Sequence, residues 1–431
     1  MGIRGGMRHD RSEFAVTGRD NRLRWLLSAS SLSNLGDGIG KVAFPLLAAS
    51  LTRDPVLIAG LAATQFLPWL LCSMLVGALV DRVDRRRAML LANLARAVVV
   101  GLMALLVYTG GATIWLVYVA ALLIGAAETV ADSAANVLVP AVVDGPRRLE
   151  AANSKLQAVE IAGQTFIGGP LGSATFAVFA AFPFLLNSAG FALAAALLLG
   201  LSGGYRPRRQ AEHRRLRTDL ADGVRWLLGD RLMLRLVAVA GAVAFVSELA
   251  QAQLVLYALE ELGLSEAGFG VFALAGGVGG LAGAALAPRL IRAAGRFPLL
   301  LTGLLGAGAG FTGMGLTTQP VLSAVLFGLF AAAVVVVNVV LATVRHTLIP
   351  DELLGRVFGA WRTIVWGAIP VGALCGGLLT KLLGGTAGTF TLSGAALVLL
   401  GAGAWLTLRG HRHAIESAGR VPEPATGRSQ S

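Results

Sequence analysis

Cysteine is nearly absent: the chain has two in 431 residues, Cys72 and Cys375, far apart and each inside a long apolar run. That argues against a disulfide framework and a cysteine-ligated metal site. Histidine is almost as sparse. His9, His213, His346, His411 and His413 all lie in or beside basic polar segments, so no metal site within an apolar helix is expected. Charged residues are 14% and aromatics 7% of the chain, too little charge to solvate a water-soluble protein of this size. No His-Glu-x-x-His, no Gly-x-x-x-x-Gly-Lys-Ser/Thr phosphate loop and no membrane-protease serine constellation occurs, which disfavours an enzyme, an ATP-driven pump and any cofactor. Residues 1 to 22 carry no short apolar core followed by a small-residue cleavage site, so no cleavable signal peptide is expected.

What fills the chain instead is hydrocarbon. It is 55% hydrophobic with 56 glycines, and its mean hydropathy is +0.72. Apolar stretches long enough to cross ~30 Å of lipid recur about every 30 residues. Twelve are read, near 25 to 50, 56 to 80, 88 to 109, 113 to 140, 154 to 180, 182 to 202, 232 to 257, 267 to 288, 297 to 317, 320 to 344, 359 to 383 and 387 to 408. The fold class is therefore an all-α integral membrane protein of the cell membrane.

The formal charge of +12 is compatible with nucleic acid, but its distribution is not. Lysines and arginines collect in alternate loops, the arm before residue 25 and the tail, with Lys41, Arg53, Arg96 and Lys381 as the exceptions. By the positive-inside rule both termini are cytoplasmic, and the partner is a bilayer with an anionic inner leaflet rather than nucleic acid. The chain divides as an amino-terminal arm (1–24), a six-helix bundle (25–202), a basic linker (203–231), a second six-helix bundle (232–408) and a tail (409–431). Within the linker Leu216, Leu220, Val224, Leu227 and Leu228 recur at helical spacing between arginines, predicting an amphipathic helix on the inner leaflet.

The halves echo one another. Leu138-Val139-Pro140 has a counterpart in Leu348-Ile349-Pro350. Pro170, flanked by Gly168, Gly169 and Gly172, has one in Pro370, near Gly367 and Gly372. Small residues let helices approach, and proline frees a carbonyl, so these positions are predicted as packing and hinge sites.

Ionisable groups inside lipid are costly and mark candidate sites. Asn34, Asp37 and Lys41 fall on one stripe of the first helix with Ser30. Asp37 is the first choice for a coupling proton, although a static pair with Lys41, one turn away, remains an alternative. Glu128 and Asp132 share a face with Asn136, and Arg96 is predicted to pair with Asp132. Asn153, Gln157, Glu160 and Gln164 share another stripe, and Glu248 lies near Gln251. Asp37, Glu128, Asp132, Glu160 and Glu248 thus outnumber Lys41 and Arg96, which favours a cationic or weakly basic amphiphile as substrate.

The turn Gly77-Ala78-Leu79-Val80-Asp81-Arg82-Val83-Asp84-Arg85-Arg86-Arg87 resembles the loop signature of the major facilitator superfamily of secondary transporters. It departs where Asp84 stands in place of the usual glycine. Ser33-Asn34-Leu35-Gly36-Asp37-Gly38-Ile39, Leu67-Pro68-Trp69-Leu70, Gly169-Pro170-Leu171-Gly172 and Gly355-Arg356-Val357-Phe358-Gly359-Ala360 extend the resemblance to the third drug:proton antiporter branch, which includes macrolide-efflux-like proteins and the enterobactin exporter. The arginine common in exporter helix 4 is missing between Leu122 and Ala134. The resemblance implies the major facilitator fold, twelve helices in two six-helix halves. It implies a conformational latch at Gly77, Asp81, Arg82, Arg85 and Arg86. It implies a cavity reached by Asp37, Glu128, Glu248 and Asn338, and a monomer exporting a drug-like or secondary-metabolite amphiphile against protons. Proton-coupled or facilitated import, and a non-transport sensor or assembly role, are the alternatives.

Overall fold

The computed structural model describes residues 7–80, 83–143, 145–201, 205, 216–350 and 353–418. Among these no strand occurs. The helices are α1 (Met7–Leu51), α2 (Pro55–Val80), α3 (Arg85–Tyr108), α4 (Ile114–Val142), α5 (Pro146–Glu160), α6 (Gly169–Val178), α7 (Phe182–Leu199) and α8 (Leu216–Gly229). They continue as α9 (Arg231–Gln251), α10 (Leu254–Leu256), α11 (Glu266–Ala294), α12 (Arg296–Leu316), α13 (Pro320–Leu348), α14 (Leu354–Leu383), α15 (Thr386–Leu408) and α16 (Arg412–Ser417). A π-helical stretch, Ile161–Gly168, joins α5 to α6, and a second, Tyr257–Glu261, follows α10.

Nine helices are long and apolar enough to span a membrane among the described residues. The first helix, α2, which counts only as a shorter apolar stretch over Pro55–Leu71, and the α5–α6 segment are not in that set. The first helix and the α5–α6 segment carry the polar stripes noted above, so the functional groups themselves lower the hydropathy of these two. Helix α1 starts at Met7 rather than near residue 25, so most of the expected arm continues the first helix.

Helices α1 to α7 pack mainly among themselves, through α1 on α7, α3 on α4 and α7, and α2 on α4. Helices α9 to α15 do likewise, through α12 on α13 and α15, α11 on α13, and α14 on α9. The two groups meet along α2 with α14, and along α6 with α11. Lipid-facing positions are large and apolar and stay exposed, as at Leu102, Leu105, Leu382 and Leu399.

Two short-range devices shape the amino-terminal group. Pro170 has no N–H, and in a regular helix its ring would strike the Phe166 carbonyl. The ladder widens to π geometry over the eight residues before Gly169. Glycine then allows backbone contact with α1. A methyl group on Gly168 would lie 2.7 Å from the Gly38 Cα, and one on Gly172 2.7 Å from the Ile39 carbonyl oxygen. Gly169 is different, since its methyl group would meet only Val42, at 3.5 Å.

The α2–α3 turn explains its own departure from the family pattern. Asp84 has φ −68° and ψ 115°, extended backbone that needs no glycine, and its Oδ1 accepts the Arg87 N–H at 3.1 Å as the N-cap of α3. Its Oδ2 accepts the Tyr205 N–H at 3.2 Å. Of the expected latch, Asp81 and Arg82 lie outside the described residues. Gly77 falls within α2, and Arg85 has a buried Nε without a hydrogen-bond partner among the described residues. Arg86 donates from Nε to the Leu198 carbonyl and from Nη2 to that of Leu199, both at 2.7 Å. It thereby satisfies the C-terminal carbonyls of α7 within its own bundle.

The linker helix exists, but it is not free on a leaflet. Leu227 is fully buried in the core beneath α9 and α14, and a methyl group on Gly223 would meet the Arg356 carbonyl oxygen at 2.3 Å. Helix α8 therefore docks on the second bundle, while Leu228 on its other side is exposed.

Candidate functional site, a two-walled cavity

One end of the molecule, where the short α1–α2, α10–α11 and α14–α15 connections lie, is closed across the two bundles. Lys381 Nζ donates to Asp54 Oδ2 at 2.7 Å, and Arg53 lies 3.5 Å from Glu260. The fully buried Gln253 donates from Nε2 to the Pro55 carbonyl at 3.0 Å. A methyl group on Gly377 would come 2.8 Å from the Pro55 carbonyl oxygen and the Ala59 Cβ. Outside the membrane-spanning segments, Lys381 holds the Asp54 carboxyl below the usual carboxylate range, mainly through their hydrogen bond.

Two cavities lie deeper, and they share Trp366. The smaller, about 300 Å³, is lined from α1 by Asp37 and Lys41, from α2 by Gln65 and Trp69, and from α4 by Glu128 and Asp132. Glu160 and Gln164 close it. The larger, about 780 Å³, is lined by Glu248 and Gln251 of α9, Asn338 and Arg345 of α13, and Arg362 of α14. Its lining runs toward the end of α13 and the start of α14, away from the closed end.

The amino-terminal wall is tied together by one arginine. Arg96, 1% exposed, donates from Nη1 to Asp37 Oδ1 at 2.8 Å. Its Nη2 donates to Ser33 Oγ at 2.7 Å and to Asn93 Oδ1 at 2.8 Å, and its guanidinium stands 4.2 Å from the centre of the Phe191 ring. Three acceptors and a ring face compensate the desolvation that a lone buried cation would suffer.

This corrects one expectation and sets aside one alternative. Arg96 pairs with Asp37, not Asp132: α1 and α3 both pack on α7, whose Phe191 ring lies beneath the guanidinium, and Ser33 and Asn93 take two more of its N–H groups, while its Nε has no partner among the described residues. Lys41 donates to Gln164 Oε1 rather than pairing with Asp37, and Gln164 in turn donates to Asn34 Oδ1 at 2.6 Å. Asn34 is thus engaged in a chain of amides, outside both cavity linings, and Gln157 is exposed and also outside them. Glu128 and Asp132 face the small cavity, and neither has a hydrogen bond or ion pair among the described residues.

The carboxyl-terminal wall contains what sequence reasoning missed. Helix α14 presents Phe358, Arg362 and Trp366 at successive turns, with Trp361 beside them, all on the cavity face. The Arg362 guanidinium lies 4.1 Å from the Trp366 ring centre and 5.3 Å from that of Trp69. Arg345 lies 4.3 Å from Phe358 and 5.0 Å from Trp361. The two indoles of Trp69 and Trp366 meet edge to face at 5.8 Å, joining the walls across the bundles. The surplus of acid over base therefore shrinks once Arg345 and Arg362 are included. The signal was available: a charge four residues into an apolar span, bracketed by aromatics at i−4 and i+4.

Glu248 and Asn338 line one cavity while Asp37 and Glu128 line the other, so the four expected to converge do so on two chambers that share a tryptophan. The expected hinge residues Pro370 and Gly372 lie within a continuous α14. A methyl group on Gly372 would lie 2.4 Å from the Phe245 carbonyl oxygen, so α9 and α14 also touch backbone to backbone.

Comparison with known proteins fits this architecture. The chain is 27% identical over 397 residues to the uncharacterized MFS-type transporter YfiS of Bacillus subtilis (strain 168), covering 88% of this chain and 91% of the relative. It is 26% identical over 386 residues to the multidrug efflux pump Tap of Mycolicibacterium fortuitum, covering 87% and 93%. Its fold is similar to that of a bacterial homologue of the human lysosomal transporter Spinster in an inward-facing, unoccupied conformation, with TM-score 0.69, 14% identity and coverage of 94% and 99%. It is likewise similar to that of the nucleoside transporter NupG, with TM-score 0.69, 12% identity and coverage of 90% and 99%. The family model for the Major Facilitator Superfamily matches residues 26–367, and the chain belongs to that superfamily: it is a multi-pass membrane transporter.

Proposed function

We propose that this transporter exports a drug-like or secondary-metabolite amphiphile in exchange for protons, by rocking residues 25–202 against 232–408 about the cavity. The observation that carries this reading is the pair Glu128 and Asp132, two carboxylates one turn apart on the wall of a narrow chamber, with no cation bonded to either among the described residues. Like charges so placed favour retention of one proton, and that proton can be given up when the chamber rewets or accepts a cationic group. Asp37, already bonded to Arg96, serves better as a fixed counter-charge than as the exchanging group. Glu160, lining the same chamber, is the secondary candidate.

By the positive-inside rule the closed end is the outer one. The cavity is then offered to the cytoplasm and inner leaflet. Each proton moving inward through 100 mV contributes about 2.3 kcal/mol, available only if proton and substrate bind the two conformations with different affinity. The likeness to the efflux pump Tap supports the direction of export.

The test is proton release from acid-loaded everted membrane vesicles on adding macrolides, lipophilic cations or aromatic acids. Release triggered by one class, lost in Glu128→Gln while the protein remains in the membrane, is the expected result. If no compound triggers release, the proton-coupled reading fails; if release is undiminished in the variant, Glu128 is not the carrier and the role moves to Asp132 or Glu160.

A further inference from the structure

Arg345 and Arg362 are absent from the proton scheme, and their setting is unlike that of membrane-anchoring arginines. An anchoring arginine extends its head to lipid phosphates at the interface. Here both guanidiniums lie over aromatic rings that line the larger cavity. Stacking leaves the rim of a guanidinium, with its N–H groups, free to meet an acceptor. Neither makes an ion pair or hydrogen bond among the described residues, and the Nε of Arg345 is buried without a partner. Among the described residues the one carboxylate in this lining is Glu248, on α9.

The rings do two things. They lower the cost of holding cations away from bulk water. Phe358, Trp361 and Trp366 also offer flat apolar faces beside those cations. The opposite wall, across the Trp69–Trp366 contact, carries Glu128, Asp132 and Glu160. An anion is repelled there and attracted here. The volume, about 780 Å³, is that of sites which hold drug-sized ligands.

We propose that the carboxyl-terminal wall is a subsite for an acidic aromatic group: the substrate carries a carboxylate, or an anion of similar size, next to a ring that stacks on α14. This rests on the transport reading above and names the substrate class for it. The acid engages Arg345 and Arg362 by charge-assisted hydrogen bonds, and any basic end of the same molecule is directed to the acidic chamber.

The experiment uses the full-length protein in lipid nanodiscs with two probes, pyrenebutyrate and pyrenebutanol, which share a ring system and differ in the anion. Binding is read as energy transfer from tryptophan to pyrene, with empty nanodiscs correcting for lipid partition. The acid is expected to bind at least about tenfold more tightly than the alcohol. Arg345→Gln and Arg362→Gln should each remove most of that preference while leaving alcohol binding near the parent value, and Arg362→Lys should restore part of it. Equal affinity of the unaltered protein for both probes overturns the proposal even if the variants fail to fold. So does a preference that persists in both Gln variants. Flux of the alcohol in vesicles without preference for the acid would overturn the subsite and leave the transport reading intact. Preference for the acid with no flux of any compound would do the reverse.

Discussion

In the amino-terminal bundle α1 lies against the α5–α6 segment, and in the carboxyl-terminal bundle α9 lies against α14. Both contacts are made by glycines under carbonyl groups: Gly172 under Ile39 in the first, Gly372 under Phe245 and Gly376 under Leu249 in the second. The backbone responses to proline differ. Before Pro170 the helix widens into a π segment, whereas α14 runs through Pro370 as α-helix. The charges differ as well. The first wall immobilises its arginine among Asp37, Ser33 and Asn93, while the second leaves Arg345 and Arg362 on aromatic faces. Duplicated architecture thus supplies two equivalent gaps between helices, and side-chain chemistry makes one a rigid polar cluster and the other a basic aromatic surface.

The sharpest way to break the comparison is to remove the arginine that fixes the first wall. Arg96→Leu strands the Asp37 carboxylate and should cost about 3–5 kcal/mol, read as a large drop in thermal unfolding temperature in detergent. Asp37→Asn combined with Arg96→Gln should recover part of that loss. Arg362→Gln should leave the unfolding temperature little changed, because no buried partner is orphaned. Similar losses from both arginines would erase the distinction between the walls.

Glycine contacts come next. Gly168→Ala and Gly376→Ala place a methyl group against backbone, at 2.7 Å and 2.1 Å respectively, and each should destabilise by about 1–3 kcal/mol. Gly169→Ala, with 3.5 Å of room, should be near neutral in the same unfolding assay. A severe loss at residue 169 would mean that the π segment needs glycine for its backbone rather than for its fit to α1.

Smallest is the ionic closure at the short-loop end. Asp54 and Lys381 are partly exposed, and such pairs contribute about 0–1 kcal/mol, so Lys381→Met should raise thiol labelling of Ala59→Cys only modestly. The Asp54 carboxyl is depressed by Lys381, so the pair stabilises closure above the ordinary carboxylate range and is lost as pH falls through its lowered value. Labelling should therefore stay constant across about pH 5 to 8 and rise only in stronger acid. A rise near neutrality would point to another group as the gate.

Much of the fold could be read from the sequence because lipid imposes length: α4, α12 and α15 begin and end within two residues of the apolar runs that predict them. Helical periodicity put Asp37 and Lys41 on one face of the first helix and Glu128 and Asp132 on one face of the fourth, and these two faces line one chamber. Partnerships were not legible. Arg96 lies at a depth that suits Asp37 and Asp132 alike, and only the packing of α1 and α3 on α7 selects between them. Lys41 met an amide from Gln164, a contact across 123 positions of chain that no local pattern encodes. Arg345 and Arg362 escaped notice because they sit near helix ends, where basic residues are ordinarily topological signals.

Asp84 carries a mechanical consequence. One of its oxygens holds the first turn of α3 and the other holds the backbone of Tyr205, beyond the end of α7. Where a glycine would let the chain swivel, this aspartate acts as a rivet between two strands of backbone 121 positions apart in sequence. Position 205, at the start of the inter-bundle connection, is thereby fastened to the α2–α3 corner and belongs mechanically to the first bundle.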